Sequence, residues 1–354
     1  RWAIAPISLV GDDFATALRT LPKNQHSIVA CAACYKSQAE AFAKKHNIPK
    51  TFTSYYELAE SKDIDVVYIS PQNPMHLELG DLMLSHGKHV LCSAPLCTTQ
   101  DQAIQLIGKS HFKGCFLMEA MWSRFLPAYQ FIRKQIQKKE LGEIYDVDCT
   151  YGVPMMNSDR ASMGDGVTFD LGIYPIQLVQ MLYRLRPLKV KATGVLNDEG
   201  VDIEANIQLE YSCERSASIC LSSIKHFENV ATIRGTKGEM IPDYWCPTKI
   251  ICNGFVHMFR LPRSETETIF FNRVGMCYQA AEVRQCLLQQ MSQSDKMTHN
   301  ESLLISNICD RIRRQIGVQM PEDEENLIEF ECRQFDINDD FCSVHQDPLS
   351  MGEV

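Results

Sequence analysis

The sequence predicts two architectures in succession: a doubly wound parallel α/β sheet at the N-terminus, then an α+β part built on an open, mainly antiparallel sheet. Three observations carry this expectation. Over roughly the first third of the chain, short apolar runs alternate with helical stretches, and the gaps between runs are long enough for crossover helices. Beyond Glu119 the rhythm changes, and strand-like runs follow one another with only turns between them. The chain has 354 residues, 45% hydrophobic and 22% charged, an ordinary profile for a globular protein of about two domains.

Residues 2–7, W-A-I-A-P-I, read as the first strand, followed by a turn and a helix starting near Asp13. Residues 27–34 form the second strand. Ser37 opens a helix with the S-x-x-E capping pattern, and Asn47 and Pro49 stop it. Tyr55 begins a short helix, and the β-branched run 65–70 is a strand. Residues 75–85 are helical, with Gly87 as the stop, and 88–92 is the next strand. Thr98 or Thr99 caps the helix that follows, with Asp101 and Gln102 in its first turn, and 114–118 is a further strand. Parallel strands joined by right-handed helical crossovers make a Rossmann-type domain of the dinucleotide-binding kind.

The second half opens with a helix over 127–139, ended by Leu141 and Gly142. Residues 144–151, 188–196, 203–211, 216–224, 229–234, 248–253 and 256–261 read as strands, joined by turns such as N-D-E-G and G-T-K-G. Helices return at 276–291 and 300–316. The expected division is 1–120 for the Rossmann-type domain and 121–321 for a second domain built on the antiparallel sheet, its last helices packing back. An acidic, solvated tail follows over 322–354.

That tail carries 11 acidic residues and one basic residue, −10 of the net −9, so the rest of the chain is about +1. No basic stripe marks the body, which argues against nucleic acid as a partner. No run of apolar residues is long enough to span a bilayer, and the opening residues lack the charged n-region of a secretory leader. A cytoplasmic protein with no membrane partner is expected. The 15 cysteines are scattered, many inside apolar runs, and read as reduced, buried small hydrophobes. Cys31 and Cys34 form a C-x-x-C, but positions three apart on a strand face opposite ways, so no metal is expected there.

The long stretches F-L-M-E-A-M-W-S-R-F-L-P-A (116–128), F-D-L-G-I-Y (169–174), G-T-K-G (235–238), W-C-P-T (245–248) and G-M-C-Y-Q-A-A-E-V-R-Q-C-L (275–287) resemble the Gfo/Idh/MocA family of NAD(P)-dependent oxidoreductases. The resemblance runs from about residue 2 to about residue 321. It implies hydride transfer from a CH–OH group of a polyol, sugar or dihydrodiol to NADP, in a homodimer paired through the C-terminal sheet, which makes 121–321 the substrate and dimerisation domain. An apolar sheet face over 203–224 would suit that pairing.

On that resemblance the glycine-rich phosphate turn falls at 6–11, P-I-S-L-V-G, where only Gly11 is still glycine. Pro6 has no N–H to offer, and Ser8 brings a Cβ together with a hydroxyl that can donate. At the end of the second strand, family members that oxidise dihydrodiols have Arg at the position of Cys34. Lys36 is the nearby cation here, and would favour NADP over NAD. Asn73 and His76, in Q-N-P-M-H, match the family loop near the nicotinamide.

The family's E-K-P motif corresponds to Ser93, Ala94 and Pro95, so a methyl group stands in place of the lysine and none of the three side chains is ionisable. Ala94 and Pro95 are carried over as cofactor-proximal positions. Asp170 and Tyr174, four apart, are expected on one helix face beside the substrate, with Tyr174 as proton relay. A phenol is a poor base at neutral pH, its ordinary pKa being about 10. Arg160 and His76 are candidate sources of the missing charge. Glu119, Trp122 and Arg124 are candidates to line the inter-domain cleft, although Trp122 and Phe125 also read as core aromatics. Two functions follow: an active oxidoreductase in which Tyr174, Asp170 or His76 takes over proton transfer, or a catalytically impaired pseudoenzyme kept as a dimeric binding or scaffold protein.

Overall fold

Six parallel strands form the first layer. β1 (Trp2–Ala5), β2 (Ile28–Ala32), β3 (Lys50–Phe52), β4 (Val66–Ile69), β5 (His89–Ser93) and β6 (Leu117–Ala120) alternate with α1 (Leu9–Leu18), α2 (Lys36–His46), α3 (Tyr55–Glu60), α4 (His76–Ser85) and α5 (Gln100–Lys113). The sheet order is β3-β2-β1-β4-β5-β6, and every pairing is parallel. Strands β1, β4 and β6 are buried along their whole length, which is why they read as apolar runs rather than as alternating ones; β3, at one edge, is largely exposed. The core beneath them is built from Ala3, Ala30, Val67, Ile69, Leu79, Met83, Leu84 and Leu106. This is a computed structural model; it describes residues 1–154, 166–243 and 245–320, so Arg160 and the acidic segment 322–354 lie outside the described residues.

The second sheet follows α6 (Pro127–Gln137). It contains β7 (Ile144–Gly152) and, after α7 (Ile173–Tyr183), β8 (Lys189–Leu196), β9 (Asp202–Glu210), β10 (Ser216–Ser222), β11 (Ala231–Gly235), β12 (Gly238–Pro242), β13 (Lys249–Cys252) and β14 (Phe255–Met258). The order is β14-β13-β12-β11-β7-β10-β9-β8, antiparallel except for the parallel β7–β10 pair. Two further helices, α8 (Met276–Leu288) and α9 (His299–Ile316), return to the first layer. α8 packs on α1 and α9 on α5, the latter fixed by His299 Nε2 donating to the Leu117 carbonyl at 2.9 Å and the Gln100 N–H donating to Asp310 at 2.8 Å.

Several local expectations shift. The first helix starts at Leu9, not near Asp13, because the Ser8 side chain caps it. The second starts at Lys36 with no side-chain cap: the Tyr35 carbonyl already accepts from the Gln38 and Ala39 N–H groups, so Ser37 falls inside the first turn. Thr99, rather than Thr98, caps α5. Gly114 belongs to the end of α5, with φ of 63°, so the strand behind it begins only at Leu117. β3 and β12 were not expected; each is short and lacks a clear alternation.

The apolar face of 203–224 is already in use. Ala205, Ile207, Leu209, Ala217, Ile219 and Leu221 are buried, and β9 and β10 pack against α9 and α7. The opposite face of β9 presents the exposed Asn206, Gln208 and Glu210, so the expected apolar dimer surface is not open. Cys31 is buried on β2, whereas Cys34 lies past the end of that strand, in the bend before α2, and is exposed. Among the described residues no helix is long and apolar enough to cross a membrane, and no group of three or more His, Cys, Asp or Glu side chains is arranged to hold a metal.

Candidate functional site

The strand order of the first sheet reverses between β1 and β4, and ligands of such sheets bind outside the carboxyl ends of strands at that point. Ser8 follows β1 and Ser70 follows β4, and their hydroxyl oxygens are 2.9 Å apart across the switch point. They stand in the wall of a cleft of about 440 Å³. The cleft runs from Cys34 and Tyr55, past Ser8, Leu9 and Val10, to Asn73, Ser93 and Ala94. Trp122, Asp170, Tyr174 and Arg273 close it from the far side.

Gly11 is kept for packing. A Cβ there would come within 3.1 Å of Ile4 Cγ2 and 3.2 Å of Ser8 Oγ, so those side chains would have to give by a few tenths of an ångström to keep α1 this close to β1. Four N–H groups at a helix start lack an intrahelical acceptor. Here they are those of Ser8, Leu9, Val10 and Gly11: the Gly11 N–H donates to Ser8 Oγ at 2.9 Å, while the Asp12 N–H makes the first intrahelical bond, to the Ser8 carbonyl at 2.8 Å. The N–H groups of Leu9 and Val10 have no acceptor among the described residues, and both residues line the cleft. Two aligned backbone donors at the positive end of α1 suit a phosphate, so the turn fits a dinucleotide despite Pro6 and Ser8.

At the end of β2 the exposed Cys34 thiol lies 3.5 Å from the Tyr55 hydroxyl. Burial of Tyr55 and its contact with Cys34 push the phenol well above its ordinary range. Lys36 does not reach the cleft: it opens α2, remains largely exposed and pairs with Glu40 at 3.8 Å.

His76 starts α4 and is fully buried behind the cleft wall rather than in it. Its Nδ1 lies 2.7 Å from the Pro95 carbonyl oxygen, which can only accept, so Nδ1 carries a hydrogen. In the neutral ring Nε2 is then the acceptor, and the Ser93 hydroxyl, 3.1 Å away, donates to it. Ser93 itself lines the cleft beside Ala94. The E-K-P counterpart is therefore hydrogen-bonded, at its first position, to the ring of a histidine 17 residues upstream.

Glu119 does not line the cleft. It is buried beneath the loop, where its Oε1 accepts from the Leu96 N–H at 3.1 Å, and burial raises its pKa to about 7. Arg124 is also internal, held by Gln177 at 2.8 Å and Glu301 at 2.7 Å. Phe125 is core. Trp122 is both buried and functional in placement: its Nε1–H donates to Tyr174 Oη at 3.1 Å. Asp170 lies on a π-turn over Thr168–Gly172, not on an α-helix, yet Asp170 and Tyr174 both face the cleft.

The structure thus gathers Ser8, Asn73, Ala94, Asp170 and Tyr174 at one cleft, leaves Lys36 outside it, and puts Gly11, His76 and Pro95 just behind it. Sequence reasoning missed Ser93 as a participant and missed Arg273 altogether. Arg273 immediately precedes the G-M-C-Y-Q stretch, but only the packing of α8 on α1 brings it to this cleft.

Comparison with known proteins agrees with this architecture. The family model described as an oxidoreductase family with NAD-binding Rossmann fold matches residues 1–121, and the GFO/IDH/MocA C-terminal domain matches residues 129–241. Trans-1,2-dihydrobenzene-1,2-diol dehydrogenase of Danio rerio is 38% identical over 331 residues, 92% of this chain and 99% of the relative. The Homo sapiens protein of the same name is 34% identical over 330 residues, with the same coverage of both chains. Levoglucosan dehydrogenase, solved with NADH and levoglucosan, superposes with a TM-score of 0.78 at 16% identity, over 89% of this chain and 96% of that one. With both halves matched in order and near-complete alignment to these relatives, the chain belongs to the Gfo/Idh/MocA family of oxidoreductases.

Proposed function

We propose that the protein oxidises a CH–OH group of a sugar, polyol or dihydrodiol with a nicotinamide dinucleotide, and that Ser93 and His76 handle the proton in place of a lysine. The observation that carries this reading is the hydrogen bond from the cleft-lining Ser93 hydroxyl to buried His76 Nε2. Residues 1–120 hold the dinucleotide, with its pyrophosphate on the Leu9 and Val10 N–H groups, and residues 121–321 supply the substrate side.

When bound, the nicotinamide supplies the hydride acceptor. The substrate hydroxyl gives its proton to Ser93 Oγ as Ser93 passes its own to His76 Nε2. The Pro95 carbonyl fixes the imidazole tautomer. Tyr174, oriented by the Trp122 N–H, and Asp170 hold the neighbouring substrate hydroxyls. Lys36 tilts the choice towards NADP: its exposed pair with Glu40 is worth only about 0–1 kcal/mol, so the ammonium is free to turn to a 2′-phosphate. A homodimer remains part of the reading, and the sheet face open to a second copy is the polar one. Mass measured across a concentration series tests that assembly.

Ala94 favours a second reading, binding without turnover, because no ammonium stands beside the developing alkoxide. One assay separates the two. Purified protein is given NADP with D-xylose or a trans-dihydrodiol, and NADPH formation is followed. Alcohol-dependent NADPH that vanishes in Ser93→Ala supports the oxidoreductase. No NADPH from the wild type, with activity appearing in Ala94→Lys, establishes the binding-only protein.

A further inference from the structure

The charged side chains in the cleft wall, among the described residues, are Asp170 and Arg273. Arg273 stands on a short 3-10 turn over Arg273–Gly275 that leads into α8. Its guanidinium carbon lies 4.8 Å from the centre of the Phe270 ring and 5.7 Å from that of Trp122. The rings stabilise the cation and hold its plane, but they accept none of its five N–H bonds. Among the described residues no carboxylate lies within ion-pair distance of Arg273, and its side chain has no hydrogen-bond acceptor. Asp13, an acid that feels its charge, is committed elsewhere: its two oxygens accept from the Ile269 and Phe270 N–H groups at 2.6 and 3.0 Å.

We infer that Arg273 is a receptor for a carboxylate on the substrate, so that the cleft prefers a sugar acid to a neutral sugar. The guanidinium fork matches a carboxylate in a bidentate way that no other side chain of the cleft can. Its position assigns it to the substrate end, because it rests on Trp122, whose N–H in turn fixes the Tyr174 hydroxyl. The dinucleotide phosphates have their own donors at Leu9 and Val10. Asp170, in the same wall, carries carboxylate oxygens that can accept from substrate hydroxyls. An anionic end at Arg273 and a hydroxylated end at Asp170 together describe an aldonate or uronate. This inference rests on the substrate-cleft reading above.

Calorimetric titration of the full-length chain tests it with D-glucuronate and with D-xylose, which is the same sugar lacking the carboxylate. Each is run with and without saturating NADPH, on wild type, Arg273→Met and Arg273→Lys. D-glucuronate is expected to bind about tenfold to a hundredfold more tightly than D-xylose, the size of effect a charge-assisted pair supplies. Arg273→Met is expected to erase the ratio and Arg273→Lys to keep part of it, with thermal unfolding showing both variants folded. Equal binding of the two sugars by wild type, binding of neither, or a preserved ratio in Arg273→Met overturns the inference. So does a Met variant that loses NADPH affinity with the sugar ratio unchanged, because Arg273 then serves the cofactor phosphates. A glucuronate preference without any NADPH binding keeps the inference and removes the oxidoreductase reading instead.

Discussion

His76 Nε2 lies 3.1 Å from the Ser93 hydroxyl while its Nδ1 lies 2.7 Å from the Pro95 carbonyl, so one imidazole is clamped at both nitrogens by the loop that contains Ala94. The arrangement puts a base one bond away from the cleft without exposing it. Ser93→Ala cuts that connection and leaves His76 on Pro95. Turnover is expected to fall about 10²- to 10⁴-fold, the usual contribution of a positioned proton acceptor, with NADPH affinity unchanged. Turnover equal to wild type in steady-state kinetics of Ser93→Ala would remove the relay.

Ala94→Lys restores an ammonium beside Ser93, on the wall that faces Tyr174. An oriented cation at a developing alkoxide contributes about 10²- to 10³-fold, so kcat is expected to rise by up to that factor while KM moves little. A variant that folds, binds NADPH and gains nothing would mean that proton transfer is not what limits the wild type.

Ser8 is both the α1 cap and the partner of Ser70. Ser8→Ala is expected to cost about 0.5–2 kcal/mol of stability in denaturant unfolding, as loss of a cap does. It also releases the Gly11 N–H beside those of Leu9 and Val10. NADPH affinity is therefore expected to hold or improve even as stability drops, and a parallel loss of both would show that Ser8 itself contacts the cofactor.

Glu119 is fully buried, and burial raises its carboxyl to about 7, partly offset by Arg124 and the Leu96 N–H. A folded-state pKa above the unfolded value means the stabilising share is complete below about 4.5 and is lost as pH rises through about 7. The loss amounts to roughly 3 kcal/mol in full, at 1.36 kcal/mol per unit. Glu119→Gln keeps an acceptor for Leu96 and has no charge to bury. Other buried groups such as Asp202, Asp310 and His46 titrate in both proteins, so denaturant unfolding across that pH range is expected to show a more downward slope for wild type than for Glu119→Gln; equal slopes would contradict the assignment.

The alternation of strands and helices was legible where the parallel strands are buried, as in β1, β4 and β6; the exposed edge strand β3 gave no such signal. The antiparallel half was legible as a series of strands, but not in which face it buries: 203–224 reads as apolar whether that face meets another copy or the chain's own α7 and α9. Asp170 and Tyr174 could be found from a contiguous motif. Ser93 could not, since a serine reads as inert until β4 and β5 set His76 behind it. Arg273 reaches the cleft only through the docking of α8 on α1, a contact between segments more than 250 residues apart. Lys36 follows the end of β2 closely in sequence, yet its exposed side chain pairs with Glu40 instead of lining the cleft.

Titration with NADPH, read by tryptophan fluorescence, tests the central claim most directly, because Trp122 lies in the wall of the cleft. Saturable quenching by one equivalent per chain, diminished in Trp122→Phe, is the predicted result. Unchanged fluorescence up to millimolar NADPH, with calorimetry equally silent, would contradict the account.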